Sequence, residues 1–254
     1  MDPSGLIAYM PALLLHFVRA GAFFAAVPMF GAQRDSRMLR LILAVSMATI
    51  FWWVGDKIVI VGGGLPELMV MAIREAVIGL AAGFALSLMT TALVTAGEII
   101  SHEMGFSLSR TMNPETGHSS SVVSQLFQTM GALLILQLNV HHDVLRVLGS
   151  SYEALRIGQP FDIGPIFVVL SSLVGKTLLV AMEYAIPILG VMLLLTSVLV
   201  MLARAVPHIN LLEFTFGVRI LLALLSSAYF LVRGAPFLEQ VFAEMIGEAR
   251  LMFL

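Results

Sequence analysis

Cysteine is absent from this 254-residue chain. That excludes a disulfide framework, thiolate chemistry and any zinc site built on cysteine. Charge is scarce as well. Asp, Glu, Lys and Arg together make up 12% of the residues, about half the fraction usual in soluble domains. The formal net charge of −2 gives no argument for nucleic-acid binding. The opening MDPSG carries no Lys or Arg, and no small-residue cleavage motif follows the first apolar run. The first helix is therefore expected to stay rather than to be removed as a secretory signal.

Apolar side chains fill the space that charge leaves. They are 59% of the chain, and the mean hydropathy is +0.98. This is the composition of an integral membrane protein. The first apolar run, residues 6–30, is broken by His16, Arg19 and Pro28, and a basic cluster of Arg34, Arg37 and Arg40 follows it. The run at 41–54 is short for a span, which needs about 20 residues. Asp56, Lys57 and three glycines at 62–64 separate it from the next, whose uncharged part, residues 76–97, would be about 33 Å long as a helix. A fourth run covers 122–140, and a polar connector is expected over 141–165. The stretch 166–203 holds Gly175, Lys176, Glu183, Pro187 and Gly190. It is too long for one straight span and is expected to form two helices or a re-entrant hairpin. A proline turn, ARAVPHIN at 203–210, precedes the last run at 211–232, which Arg219 interrupts. Residues 233–254 have an amphipathic helical spacing. The expected fold is all-α, with at least six long apolar helices arranged as hairpins. Basic residues do not alternate between successive connectors as the positive-inside rule would ask, so some of these helices are not expected to be plain spans.

The most informative segment is polar. Residues 97–125, GEIISHEMGFSLSRTMNPETGHSSSVVSQ, separate two long apolar runs. Asn113-Pro114 is a helix stop, because proline pushes the preceding residue out of the α region. A connector this long, semi-apolar and punctuated reads as a loop packed within protein or lining a passage.

Six ionisable residues fall inside apolar segments: Arg19, Arg74, Glu75, Lys176, Glu183 and Arg219. Charges there mark ion pathways, pairs or buried polar cavities. Lys176 and Glu183 share a helix face two turns apart. An ion relay is one reading. The favoured one is structural pairing of Arg74, Glu75, Lys176 and Glu183 within a multi-subunit assembly, or a helix that is not in lipid at all. Gly79 and Gly83 form a GxxxG with Ser87 on the same face, a close-packing surface for another helix. Motifs for chemistry fail on inspection. Gly175-Lys176-Thr177 lacks the glycine five residues before Gly175 that a phosphate loop needs. His102-Glu103 lacks the second histidine of a zinc-protease helix. The adjacent His141 and His142 cannot both face one helical side. No catalytic, cofactor-binding or metal-binding set is expected, and no enzyme activity.

Residues 95–117, TAGEIISHEMGFSLSRTMNPETG, resemble the signature of the FliR family of flagellar export-gate proteins. The match keeps Gly97, Glu98, Ile99, Ile100, Met104, Gly105, Ser107, Pro114 and Gly117 and departs at 101–103 and at Asn113. ARAVPHIN, the segment from Arg19 to Gly31 with its basic cluster, and LNVHHDVL at 138–145 resemble further family motifs in the same order. The resemblance implies a single FliR-type domain over 1–254. Residues 1–160 would form a FliP-like portion, and 161–254 a FliQ-like hairpin with a C-terminal helix. It implies a hetero-oligomeric helical gate in the inner membrane at the flagellar basal body. The implied partners are FliP-type and FliQ-type subunits, FlhA-type and FlhB-type components, and unfolded substrates in transit. It also implies a pore plug at 105–117, with Met104, Gly105, Phe106, Leu108, Met112, Asn113, Pro114 and Gly117 as its gating residues. Two alternatives stay open: the counterpart gate of a virulence injectisome, and an ion-coupled secondary transporter using Lys176 and Glu183.

Overall fold

The computed structural model of the chain describes residues 3–27, 36–55, 64–104, 122–205 and 211–253. Among these, seven α-helices account for nearly everything, and no strand occurs. They are α1 (Pro3–Ala26), α2 (Ser36–Val54), α3 (Leu65–Glu103), α4 (Val122–Gln137), α5 (Val140–Ala154), α6 (Ile163–Ala205) and α7 (Leu211–Leu251). Three contain segments long and apolar enough to cross a membrane: Tyr9–Ala26, Leu65–Glu103 and Ile163–Ala205. The bent last helix makes a fourth if its two parts count as one span. The expectation of six long apolar helices is thus corrected to three or four, since α2, α4 and α5 are shorter.

The largest correction concerns 166–203. It neither splits nor turns back, but lies within one 43-residue helix, α6. Pro187 removes a single backbone bond, the one to the Glu183 carbonyl. No turn chemistry surrounds it, and the apolar helix formers on both sides keep every other backbone group paired. At 1.5 Å per residue α6 is about 64 Å long, roughly twice the hydrocarbon thickness of a bilayer. The run 211–232 and the tail likewise fuse into α7, which bends by 54° between Thr215–Phe230 and Val232–Leu251. Pro236 lies just past the bend and cannot donate to the Val232 carbonyl four residues earlier, which weakens the helix there.

The expected polar connector at 141–165 also contains a helix, α5. Its buried residues Val140, Val144, Val147, Leu148 and Ser151 recur at helical spacing, a pattern that His141, His142 and Asp143 at its start obscure. Asn139 opens it in the left-handed region, at φ 56°, a conformation that asparagine tolerates better than most residues.

The chain divides into two compact units. The first comprises residues 1–90, 139–175 and 243–254. Its core includes Leu15, Phe23, Phe24, Ile78, Ala82, Val147 and Leu148. α1 and α2 pack on each other, and α3 approaches α1 closely at two glycines. A Cβ on Gly83 would lie 2.5 Å from the Phe23 carbonyl oxygen and 2.8 Å from the Ala26 methyl. One on Gly79 would overlap the Arg19 carbonyl oxygen. Only glycine lets the two backbones come this close. Asp143 accepts from Arg146 at 3.0 Å and from Arg250 at 3.3 Å, tying the C-terminal segment to α5.

The second unit comprises residues 91–138 and 176–242. It buries Leu93, Ile100, Phe127, Tyr184, Ile188, Leu238 and Phe242. Phe127 meets Tyr184 edge to face at 5.9 Å, and Gly131 accommodates the Leu93 side chain.

Candidate functional site

Arg19 donates from all three of its guanidinium nitrogens. Its position on α1 puts it on the face that packs against α3 and α5, and it is fully buried. Nε donates to Glu75 Oε2 at 2.6 Å. One terminal nitrogen donates to the Ser151 carbonyl at 2.6 Å, and the other to the Leu155 carbonyl at 3.0 Å. The guanidinium also lies 4.6 Å from the centre of the Tyr152 ring, a cation–π contact. Glu75 is 1% exposed, and its second oxygen accepts from the backbone N–H of Gly158 at 2.9 Å. Gly158 has φ 78°, a left-handed conformation that suits glycine. One ion pair thus joins α1 to α3, closes the C-terminal end of α5 and anchors the connector after it.

Tyr152 completes the cluster. Its hydroxyl donates to the His16 carbonyl at 2.9 Å, and its ring stacks between His16, at 5.3 Å, and Phe51 of α2, at 4.6 Å. Burial pushes the Tyr152 phenol above its ordinary value, so it stays protonated. His16 Nδ1 lies 2.7 Å from the Ala12 carbonyl; a carbonyl only accepts, so this nitrogen carries the proton. Beside the cluster is a cavity of about 420 Å³ lined by His16, Phe51, Gly149, Tyr152, Glu153 and Arg156. The arrangement immobilises helices. It holds no nucleophile paired with a base, and among the described residues no three metal-ligating side chains converge.

The residues expected to carry function are distributed as follows. Met104 is fully buried just beyond α3, in the second unit, and its N–H continues the helix to the Ile100 carbonyl at 3.1 Å. Gly105, Phe106, Leu108, Met112, Asn113, Pro114 and Gly117 lie outside the described residues. Gly79 and Gly83 face α1 within the same chain. Ser87 is half-buried, its hydroxyl bonded to the Phe84 carbonyl at 2.8 Å. The charged residues lie as follows. Glu75 is held by Arg19 from another helix, while its neighbour Arg74 is half-buried. Lys176 is half-buried and Glu183 exposed on α6. Seven residues place them about 10 Å apart along the helix. Sequence reasoning noted Arg19 and Glu75 separately without joining them, and it gave no role to Tyr152, Gly158 or the two carbonyls.

Comparison with known proteins places this architecture. The sequence profile of the bacterial export proteins, family 1, matches residues 10–245. The flagellar biosynthetic protein FliR of Bacillus subtilis (strain 168) is 30% identical over 217 residues, covering 82% of this chain and 81% of that protein. The protein of the same name from Buchnera aphidicola subsp. Schizaphis graminum is 24% identical over 230 residues, covering 91% and 89%. The one from Escherichia coli (strain K12) is 27% identical over 178 residues, covering 70% and 68%. The profile spans nearly the whole chain, including α1 with Arg19, α3 with Glu75 and the long helices α6 and α7, and the chain belongs to the bacterial export proteins, family 1.

Proposed function

We propose that the chain is a non-enzymatic subunit of the flagellar type III secretion export gate, forming part of the channel through which unfolded substrates leave the cell. The observation that carries this reading is the family match over residues 10–245, whose similar proteins bear the name flagellar biosynthetic protein. In this reading the chain assembles with FliP-type and FliQ-type subunits in the bacterial inner membrane, at the flagellar basal body. FlhA-type and FlhB-type components act beside it. Residues 1–160 take the FliP-like role and 161–254 the FliQ-like one. The segment 105–117 is the plug. Its apolar Phe106, Leu108 and Met112 seal the passage, and buried Met104 anchors its start.

The names of the similar proteins favour a flagellar over an injectisome gate. The same names favour it over the transporter alternative as well. The test is the native mass of the particle obtained when the tagged chain is extracted gently from its own cells. A large particle with one copy of this chain and several copies of small apolar partners is expected. A lone, stable, well-folded monomer or homodimer would overturn the reading.

A further inference from the structure

A cavity of about 590 Å³ opens between the first three helices, within the first unit. Met10, Leu14 and Phe17 of α1, Val45 and Thr49 of α2 and Leu68 of α3 form its main walls. Among the described lining residues, Thr49 alone carries a hydroxyl, and no lining residue is charged. That hydroxyl donates within its own helix, shared between the carbonyls of Val45 at 2.9 Å and Ser46 at 2.8 Å. The walls therefore offer no free donor, and water would find too few partners to stay. At one end stands an unmet donor. Trp52 follows Val45 by seven residues and Thr49 by three, which puts it on the same face of α2, one turn beyond the cavity. Its indole Nε1 is shielded from solvent and has no hydrogen-bond partner among the described residues. A buried indole N–H ordinarily finds an acceptor. Trp52 as a whole is half-buried, so a small turn of the ring presents this edge to an entering group.

We propose that this cavity holds one acyl chain of a bilayer phospholipid, with the ester carbonyl accepting a hydrogen bond from Trp52 Nε1. An acyl ester is a long hydrocarbon that ends in one acceptor. The cavity has the same order of parts, apolar walls and then a single donor. Tryptophan is also enriched at the depth of the lipid headgroups, where the ester lies. Met10 and Leu14 are 62% and 49% exposed, so the cavity is open on one side. Both belong to a segment long and apolar enough to cross a membrane, and a lipid enters from that side. A helix of another protein fits less well. Its backbone carbonyls are already paired along its own axis and leave none for the indole.

The test uses the full chain together with whatever is co-extracted with it. The sample is reconstituted into phosphatidylethanolamine vesicles in which part of the lipid carries a diazirine on its acyl chain. It is then exchanged into lipid-free detergent and photolysed. The exchange strips lipid that merely surrounds the protein and spares lipid held in the cavity. Label is expected on residues 10–17 and 45–49. Trp52→Phe keeps the ring and removes only the N–H. It is expected to lower that label about fivefold, the effect of one hydrogen bond, with the amount and protease resistance of the chain unchanged. No label at those residues after the exchange, as when a protein segment covers the cavity, would overturn the proposal. So would a yield that Trp52→Phe leaves unchanged. Neither result depends on which subunits are co-extracted, so the export-gate reading stands or falls separately, on the native mass of the particle.

Discussion

Arg19 and Glu75 are 56 residues apart in sequence and 2.6 Å apart in space, and both are shielded from solvent. A buried pair of this kind adds little to stability over a well-packed apolar pair, but losing one partner is costly because the other is left charged and buried. Glu75→Gln and Arg19→Leu should each destabilise the chain by about 3–5 kcal/mol. Arg19→Leu also strips the donors from the Ser151 and Leu155 carbonyls. The double substitution Arg19→Leu with Glu75→Leu should cost less than the sum of the single changes. Thermal unfolding in mild detergent measures this, and strictly additive losses would show that the pair is not coupled.

Gly79 and Gly83 are predicted to serve the chain's own fold. Gly83→Leu places atoms where the Phe23 carbonyl and the Ala26 methyl already are. Its effect should appear when the chain is expressed alone, as a marked fall in protease resistance. Normal resistance alone, with loss only of co-purifying subunits, would assign the glycine face to another protein.

Tyr152 gives a pH dependence with a definite sign. Burial raises its folded pKa above the ordinary value of about 10. The fold therefore favours the neutral phenol. The stability this contributes is complete below about pH 10 and is lost as pH rises above that value toward the higher folded pKa. Tyr152→Phe should lose about 1 kcal/mol at pH 7, from the bond to His16. It should also unfold less steeply than wild type between pH 10 and the highest pH that the detergent tolerates. Parallel alkaline curves would refute a buried, neutral Tyr152.

Deleting residues 105–117 should leave the gate assembled but leaky. A swing from almost wholly closed to almost wholly open takes only about 5.5 kcal/mol, which several apolar contacts can supply. Ion conductance of cells carrying the assembled deletion variant is the measurement. Unchanged permeability would remove the plug assignment.

The all-helical class was legible in the sequence because long apolar runs in lipid leave the backbone no other way to pair its polar groups. The family was legible because its motifs are contiguous: a stretch such as 95–117 keeps its spacing whatever the fold does. The close-packing face of α3 could be read from Gly79 and Gly83, since a helix fixes which residues share a side. Tertiary structure decided everything that depends on distant residues meeting. Nothing local pairs Arg19 with Glu75 rather than Arg74 with Glu75. The carbonyls of Ser151 and Leu155 have no signature, because every residue carries one. Whether 163–205 would run straight or fold back turned on the balance between one proline and some forty helix-compatible neighbours. That balance is struck by the cost of unpaired backbone groups along the whole helix, and no single residue announces it.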